Sequence, residues 1–363
     1  MEKIKVMVVD DSAVIRQVMT KIIKSDPTLE LFAAVADPLF AMVRVEKNRP
    51  DVIVLDVEMP RMDGITYLKK IMSEDPIPVV ICSTLTADKS DTAMQAMAAG
   101  AIGFIHKPKM SVKGYLEEES MMVIDTIKGA AKANLRKIKL PPTKIKIPAL
   151  KLTADTVIPS ETHRHSMVET TQKIIAMGTS TGGTQALEYV LTALPRTSPG
   201  IIVVQHMPEK FTAQFARRLN DISAVTITEA KNGDRVLPGH VFIAPGGKHM
   251  LLKRVGAQYC IEIKDGPLVS RHRPSVDVLF RSVAQAAGKN ALGIIMTGMG
   301  DDGALGMKEM HDAGSKTLAQ DEKTCVVYGM PKEAVKHGGV DDSLPLQDIA
   351  GEIIYFDDIM KTG

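Results

Sequence analysis

Short, continuously apolar runs recur through the first 110 positions of the chain, with amphipathic segments between them. Runs without polar alternation are typical of parallel strands that are covered by helices on both faces. They occupy residues 4–9, 31–35, 52–56, 78–83 and 101–105. The intervening segments 12–24 and 64–73 have the spacing of helices with one apolar side. The pattern predicts a doubly wound α/β domain of five βα units.

A second α/β pattern begins near Lys173. Apolar runs at 173–177, 200–205 and 291–296 alternate with segments of helical spacing. The predicted helices lie at 183–193, 209–219, 274–287 and 346–356. Residues 236–247 and 249–264 alternate and contain Pro-Gly and Gly-Gly turns, so we expect an antiparallel excursion at the sheet edge there. The fold class is therefore α/β, with two doubly wound parallel-sheet domains.

The composition changes between these two patterns. From residue 128 to 151 there are eight Lys or Arg and no acid, and three prolines interrupt any helix. We expect a first domain at 1–125, a basic, proline-containing linker at 126–172 and a second domain at 173–363. A solvated linker is the simpler interpretation of the charge, and docking onto an acidic partner is the alternative.

Composition narrows the class of protein. The 45 basic and 43 acidic residues nearly balance, which gives no general attraction to nucleic acid. Three widely separated cysteines, Cys82, Cys260 and Cys325, form no disulfide framework or metal knot. The N-terminus lacks the zones of a signal peptide, and no apolar stretch approaches the ~20 residues of a membrane helix. We therefore expect a soluble cytoplasmic protein without membrane insertion.

Acidic residues follow two strands of the first domain. Asp10 and Asp11 end the first strand, and Asp56 ends the third. Since the carboxyl ends of parallel strands share one crevice, these carboxylates should meet, and a hard cation such as Mg²⁺ would compensate their repulsion. Ser83 after the fourth strand and Lys107 after the fifth fall at the same edge. The set predicts an aspartate that is phosphorylated with metal assistance.

The motifs "VVDDS", "VLDVEMPRMDG" and "FIHKP" resemble those of response-regulator receiver domains over residues 1 to about 125. The resemblance implies that Asp56 is the phospho-acceptor and that Asp10, Asp11 and Asp56 hold Mg²⁺. It also implies that Ser83 is the switch hydroxyl, that Lys107 contacts the phosphoryl group, and that the Lys107–Pro108 bond is cis. A histidine kinase of a chemotaxis pathway is the implied phosphoryl donor.

A glycine-rich turn follows the first strand of the second domain, in the sequence "GTSTGG" with Ser180 at its centre. The GxSxG pattern suits a sharp strand-to-helix turn that exposes a serine hydroxyl. A dinucleotide-binding loop is the rival interpretation, and it expects an acid at the end of the next strand. That strand ends instead in Gln205 and His206, and an imidazole there is well placed as a base for Ser180.

A later strand ends in a turn that contains Asp301 and Asp302. Adjacent turns of one parallel sheet would bring Ser180, His206 and one of these aspartates to a common rim, as in a Ser-His-Asp triad. Spacing alone does not choose between the two acids. The chain order Ser, His, Asp differs from that of α/β-hydrolases, so their fold is disfavoured although the chemistry is the same.

From about residue 173 to 360 the chain resembles the catalytic domain of the chemotaxis protein-glutamate methylesterases (CheB). The resemblance rests on "GTSTGG", "VVQHMP", "FIAPGGKHM", "HRPSVDVLF", "MTGMGDDGALGM" and "VVYGMPKEA". It implies Ser180 as nucleophile, His206 as base and Asp302 as the triad acid. The family often carries Asn before that acid, where this chain has Asp301, so we expect this second carboxylate to raise the pKa of Asp302 or to compete for the imidazole.

The family's reaction is hydrolysis of glutamyl methyl esters on the cytoplasmic helices of methyl-accepting chemoreceptors, with deamidation of certain glutamines as a sister activity. The resemblance implies that no cofactor is needed for hydrolysis and that the unphosphorylated receiver covers the esterase site. Backbone N–H groups of the Ser180 or Gly300 turn are the candidate oxyanion donors. Arg271 and Arg273, in "RHRPS", are candidates for facing the substrate, and a solvated loop is the alternative.

Two other classes of function remain open from the sequence. A nucleotide-binding output domain would bind a dinucleotide and would be indifferent to Ser180→Ala. A regulatory protein that works by docking to receptors would also keep its signalling role in that variant.

Overall fold

The computed structural model describes residues 2–59, 62–83, 87–107, 113–135, 172–209 and 211–358. Most of the predicted linker and the residue Pro108 lie outside these ranges. Helix α5 (Lys113–Ala131) continues into the predicted linker and ends past position 125. No helix of the described part of the chain is both long and apolar enough to cross a membrane.

The first domain is a five-stranded parallel sheet with helices on both faces. Its strands are β1 (Ile4–Val9), β2 (Leu29–Val35), β3 (Val52–Asp56), β4 (Val79–Ser83) and β5 (Gly103–His106). Its helices are α1 (Ala13–Ser25), α2 (Pro38–Lys47), α3 (Gly64–Glu74), α4 (Ala87–Ala98) and α5. The strand order β2-β1-β3-β4-β5 is the flavodoxin-like order. Every residue of β3 and β4 is buried, which explains why these runs are continuously apolar.

The second domain is built on a seven-stranded sheet. Its strands are β6 (Ile174–Thr179), β7 (Gly200–Gln205), β8 (Thr226–Glu229), β9 (His240–Ile243), β12 (Ala291–Ile295), β13 (Lys316–Gln320) and β14 (Asp342–Leu344). Its helices are α6 (Gly183–Thr192), α7 (Phe211–Ile222), α8 (Val276–Ala286), α9 (Ala304–Asp312), α10 (Met330–Lys336) and α11 (Leu346–Asp358). The order is β14-β13-β12-β6-β7-β9-β8, and every pairing in it is parallel.

The predicted antiparallel excursion is present in a different form. Strands β10 (His249–Val255) and β11 (Gln258–Lys264) pair with each other in a separate two-stranded antiparallel sheet, with β10 packed against α8. Strand β9, which the sequence assigned to the excursion, is a parallel member of the main sheet between β7 and β8. Its four residues are too few for a pattern of polar and apolar positions to distinguish the two pairings.

The order of strands places a switch point beside β6. The chain moves from β6 to β7 on one side and later returns through β12 on the other. In such sheets the crevice for chemistry lies outside the carboxyl ends of the strands at this point. The turns that follow β6, β7 and β12 therefore meet at one rim.

The first domain packs over this rim of the second. Helix α4 contacts α6 and α7, and the ring of Phe104 stacks on that of Phe211 with centroids 5.0 Å apart. Two carbonyls that precede β5 also accept hydrogen bonds across the interface. Gln185 Nε2 donates to Ala101 O at 2.7 Å, and Gly182 N donates to Ile102 O at 3.5 Å.

Candidate functional site

The turn after β6 is held by backbone and side-chain hydrogen bonds. Ser180 N donates to Thr297 O at 3.0 Å, and Ser180 O accepts from Gly183 N at 2.8 Å. Gly182 has a φ of 78°, a left-handed conformation that disfavours other residues, and α6 begins directly after it. Thr179 is fully buried and its hydroxyl donates to the side chain of Gln205. The turn thus leaves the half-buried Ser180 side chain at the mouth of the crevice.

His206 and Asp302 form the polar pair opposite this turn. The distance from His206 Nε2 to Asp302 Oδ2 is 2.7 Å, and the Asp302 side chain is 0 % exposed. A carboxylate accepts, so Nε2 carries the hydrogen and the neutral ring keeps its lone pair on Nδ1. His206 Nδ1 is buried and makes no hydrogen bond with the described residues. This nitrogen is the one left for the hydroxyl of Ser180.

The N-terminus of α8 holds the carboxylate of Asp302. Ser275, the N-cap residue, donates its hydroxyl to Oδ1 at 2.7 Å. The backbone N–H groups of Val276 and Asp277 donate to the two oxygens at 2.8 and 3.0 Å. Burial raises the pKa of Asp302, but the hydrogen bonds from His206 and Asp277 outweigh burial and leave the pKa below its usual value. The group stays ionised, as a triad acid must.

The two adjacent aspartates lie in different environments. Asp301 is on the surface, with 64 % of its side chain exposed and one oxygen 3.8 Å from Arg271 Nη2. It has no hydrogen bond to His206 in the described structure, and the expected upward shift of the pKa of Asp302 is absent. The two side chains differ because Asp301 is exposed to solvent whereas Asp302 is buried against α8. Their spacing in the sequence does not reveal this difference.

Two further residues of "RHRPS" reach the site, and the sequence analysis passed over both. Ser275 caps α8 and binds Asp302. The ring of His272 lies on that of His206, with centroids 3.7 Å apart and planes 4° from parallel. The signal for Ser275 was a serine immediately before an apolar helical run, the usual place of an N-cap. For His272 we find no signal, because its approach to His206 is a long-range contact.

A cavity of about 250 Å³ encloses the site between the two domains. Ser180, His206 and His272 line it from the second domain, and Phe104 and Met122 line it from the first. The first domain therefore forms one wall of the cavity that Ser180 lines.

The two candidate arginines both line this cavity. Arg271 is 52 % exposed, and its Nη1 lies 3.3 Å from Asp125 Oδ2 of α5, across the domain interface. Arg273 donates through Nη1 to Gly266 O, and its buried Nε has no hydrogen-bond partner in the described residues. Both arginines thus line the same cavity as Ser180 and His206.

The acidic residues of the first domain meet at the carboxyl ends of β1 and β3. Asp10, Asp11 and Asp56 each offer an oxygen, and these oxygens lie within 4.8 Å of one another. Lys107 Nζ is 2.6 Å from Asp56 Oδ2 and 3.1 Å from Asp10 Oδ2. Ser83 is buried and directly follows Cys82, which is the strand partner of Asp56. The structure therefore brings all five predicted residues to one edge.

Burial dominates the electrostatics of this cluster. It raises the pKa of Asp56 to about 6, against the opposing pull of Lys107, and it also raises the pKa of Asp10. Burial alone would lower the pKa of Lys107, but its bonds to the two carboxylates keep the pKa above the ordinary value. Asp10 Oδ2 is buried, and among the described residues its one cationic neighbour is Lys107 Nζ, which it shares with Asp56. The oxygens therefore suit a hard divalent cation, which would relieve the cost of burying their charge.

The fold and the two sites define a class: a hydrolase-type domain that brings Ser180, His206 and Asp302 to one rim, packed against a receiver-type domain with a buried acidic cluster. Family models agree with both halves. Residues 175–353 match the CheB methylesterase family, and residues 6–127 match the response regulator receiver domain.

Similar proteins carry the same two parts in one chain. A protein of Albidiferax ferrireducens named "Protein-glutamate methylesterase/protein-glutamine glutaminase 2" is 61 % identical over 96 % of this chain and 99 % of its own length. A protein of Photobacterium profundum with the corresponding name, numbered 1, is also 61 % identical, over 96 % and 99 %. The crystal structure of the CheB methylesterase catalytic domain of Thermotoga maritima is 37 % identical, has a TM-score of 0.50 and covers 51 % of this chain and 98 % of that one. The chain belongs to the CheB family of protein-glutamate methylesterases/protein-glutamine glutaminases.

Proposed function

We propose that this chain is a phosphorylation-regulated serine esterase for adaptation in bacterial chemotaxis. It hydrolyses glutamyl methyl esters on the cytoplasmic domains of methyl-accepting chemoreceptors and deamidates specific glutamines there. The observation that carries the proposal is the 2.7 Å pair of His206 and Asp302 at the switch point, directly beside the turn of Ser180. Acyl transfer by a serine requires such a pair, with the imidazole as base and the carboxylate as its partner, whereas binding of a dinucleotide does not.

The reaction follows from the groups at the rim. Ser180 Oγ attacks the side-chain carbonyl carbon of the methyl glutamate while His206 Nδ1 takes the hydroxyl proton. Asp302 stabilises the imidazolium that forms. The bond from the carbonyl carbon to the methoxy oxygen then breaks, and methanol leaves with the proton from His206. Water, deprotonated by the same nitrogen, releases glutamate and restores Ser180; with glutamine as substrate the leaving group is ammonia.

The oxyanion of each tetrahedral intermediate needs backbone donors. Ser180 N–H is already bound to Thr297 O. We therefore propose as oxyanion donors the N–H of Thr181, in the same turn as Ser180, and the N–H of Gly300, in the turn after β12. A single such donor is typically worth ~10²- to 10³-fold in rate. Arg271 and Arg273 are proposed to face the substrate, where their charge suits the acidic surroundings of a receptor methylation site.

We propose that phosphorylation of Asp56 by a chemotaxis histidine kinase opens the covering arrangement. Asp10, Asp11 and Asp56 would hold Mg²⁺, which supplies charge neutralisation for phosphoryl transfer, and Lys107 and Ser83 would contact the phosphoryl group. The modification adds roughly −1.5 to −2 charges next to β4 and β5, the strands nearest the interface. Residues 126–172 are proposed as the tether between domains 1–125 and 173–363. The cytoplasm is the compartment that such substrates and donors imply.

Methanol release from methylated receptor tests the proposal. The phosphorylated chain should release methanol, and Ser180→Ala and His206→Ala should each lower the rate by ~10³-fold or more. Ser223→Ala, at a half-buried serine outside the cavity, is the matched control and should keep the wild-type rate. Full release by Ser180→Ala would refute Ser180 as the nucleophile, whereas a wild-type chain that releases no methanol would refute the esterase function and favour a docking or nucleotide-binding role.

A further inference from the structure

The base of the triad is stacked on a second imidazole. His272 and His206 lie with ring centroids 3.7 Å apart and planes 4° from parallel, so they overlap face to face. Both rings line the interdomain cavity. The Ser-His-Asp chemistry as such does not call for the second ring, and its role rests on the proposed function of the first.

The turn that precedes His272 has an energetically unfavourable backbone conformation. Val269 and His272 exchange two backbone hydrogen bonds, at 2.9 and 3.1 Å, around a two-residue turn. The turn residues Ser270 and Arg271 have φ values of 49° and 68°, in the left-handed region. Turns of this kind usually take Asn or Gly, because other residues are strained there. Strain of this sort persists where surrounding contacts fix the geometry.

Three interactions hold this turn and the ring of His272 in place. Ser270 Oγ donates to Asp277 Oδ2 at 3.0 Å, and the Arg271 guanidinium lies 3.3 Å from Asp125. The ring of His272 itself donates from Nδ1 to Ser270 O at 2.7 Å. Since a carbonyl only accepts, this bond fixes the hydrogen on Nδ1. The orientation of the ring is thus determined before any substrate binds.

The environment keeps this ring neutral. Burial first, and the neighbouring His206 second, lower the pKa of His272 to about 3. The charged or titratable groups that face it are His206, Asp302 and Arg271. A neutral aromatic face beside His206 can receive the imidazolium that forms during the reaction, whereas a second positive charge would repel it.

A shared metal ion is a poor alternative for the three groups. His206, His272 and Asp302 offer ligand atoms within 4.8 Å of one another. Imidazole lone pairs lie in the ring plane, however, and planes 4° from parallel do not direct two of them at one ion. Both oxygens of Asp302 are also engaged by donors from α8 and by His206.

We propose that His272 is a positioning residue for the esterase reaction. Its neutral ring fixes the plane of the His206 imidazole, so that Nε2 stays on Asp302 and Nδ1 stays free for Ser180. It also shields one face of that imidazole from water.

Two substitutions separate the ring from its hydrogen bond. His272→Gln keeps an N–H donor for Ser270 O and loses the ring, whereas His272→Phe keeps a flat ring and loses the donor. In the full chain, phosphorylated with Mg²⁺ and a small acyl phosphate, we expect His272→Gln to lower kcat for methanol release by ~10- to 100-fold, as for a misplaced catalytic group. KM for methylated receptor should stay within about twofold, and His272→Phe should keep most of the rate. His337→Gln is the matched control, since this exposed histidine also bonds a backbone carbonyl through Nδ1, 2.8 Å from Glu333 O.

The pH profile distinguishes positioning from a folding defect. Water solvates an imidazolium better than an aromatic face does, so loss of the ring should move the acid limb of kcat/KM to higher pH in His272→Gln and not in His272→Phe. A lower folded fraction scales the rate without moving this limb. An unmoved limb with a wild-type kcat in His272→Gln overturns the proposal, as does an equal loss in a folded His272→Phe. If His272→Phe fails to fold, the kcat and limb of His272→Gln decide alone. A wild type that releases no methanol refutes the esterase function itself, which is a separate outcome.

Discussion

Gly129 of α5 and Thr181, in the turn after β6, approach so closely that a Cβ atom at position 129 would lie 2.7 Å from Thr181 Oγ1. The two residues belong to different domains, so this glycine permits the receiver to seat on the esterase turn. The Cβ atom of Met299 would lie 3.3 Å from the same added atom. An added methyl group would therefore displace the Thr181 side chain or move the two domains apart.

Gly129→Ala should therefore weaken the covering arrangement. An alanine favours the helix by ~1 kcal/mol, so the receiver itself should be no less stable. We expect the methanol-release rate of the unphosphorylated chain to rise several-fold, while the phosphorylated rate stays near wild type. Gly351→Ala in α11 is the matched control, since an added Cβ there meets nothing within 4 Å. Equal basal rates in both variants would contradict the prediction.

The ion pair of Arg271 with Asp125 should also hold the domains together. It spans 3.3 Å, and Arg271 is 52 % exposed, so solvent screens much of the attraction. For such pairs the net contribution is small, and we expect Asp125→Asn to raise the unphosphorylated rate by only ~2- to 5-fold. Asp26→Asn, which breaks the 2.7 Å pair with Lys128 inside the receiver, should leave that rate unchanged. Matching increases in both variants would point to destabilised α5 packing instead.

The carboxylate of Asp302 is predicted to act through its ionised form. Asp302→Asn should lower kcat by ~10³-fold or more, because the amide neither fixes the His206 tautomer nor stabilises its charge. Asp301→Asn, one residue away on the surface, should stay within about threefold of wild type, since an exposed charge adds little. A large loss in Asp301→Asn would reverse the assignment of the acid. The measurement is the initial rate of methanol release by the phosphorylated chain.

The support of Asp302 by α8 is predicted separately. Ser275→Ala removes one hydrogen bond to a buried charge and the helix cap, so we expect a loss of ~10-fold in kcat and a lower Tm. Ser282→Ala is the control on the same helix; its buried hydroxyl binds Leu279 O and Leu252 N, away from Asp302. If both variants lose rate equally, the effect of Ser275 is on the helix rather than on the carboxylate.

The apolar runs of the sequence were sufficient to predict the central strands except β9 and β13, because burial on both faces leaves few polar positions in such strands. Strand β13 also lies inside the sheet, but Lys316, Thr317 and Gln320 interrupt its apolar run, and it was not predicted. Short edge strands were not predictable in this way. Strand β8 alternates over only four residues, and β14 has three, so neither gives a period. Strand β9 was assigned to the wrong kind of pairing for the same reason. The local pattern states which residues are buried, and not which strand lies beside them.

The candidate site residues could be proposed from the sequence because each lies in a turn that follows a strand. Ser180, His206 and the Asp301–Asp302 step could be placed at one rim from strand order alone. Their finer relations depend on long-range contacts. The choice of Asp302 follows from α8 reaching its oxygens, and the stacking of His272 on His206 follows from a strained turn far along the chain. No local sequence pattern indicates either of these contacts.

The buried acid of the receiver gives a prediction for stability and pH. Burial raises the pKa of Asp56 to about 6 in the folded protein, from an ordinary value of 3.8. A raised carboxyl pKa means that ionisation opposes folding: the penalty is full above about pH 6 and disappears below about pH 4. Asp56→Asn removes it, so without Mg²⁺ the variant should be more stable than wild type at pH 7.5 by about 1–3 kcal/mol. The gain should shrink as the pH falls from 6 to 4.

Added Mg²⁺ should distinguish the two proteins. It should raise the Tm of the receiver transition in wild type, by mass action on the folded state, and have little effect on Asp56→Asn. Asp51→Asn, at an exposed acid whose carboxylate binds Lys5 N, is the control and should respond to Mg²⁺ as wild type does. Thermal unfolding followed by circular dichroism between pH 4 and 8 measures both effects. A stability difference between wild type and Asp56→Asn that is constant over this range would show that burial of the charge is not its source.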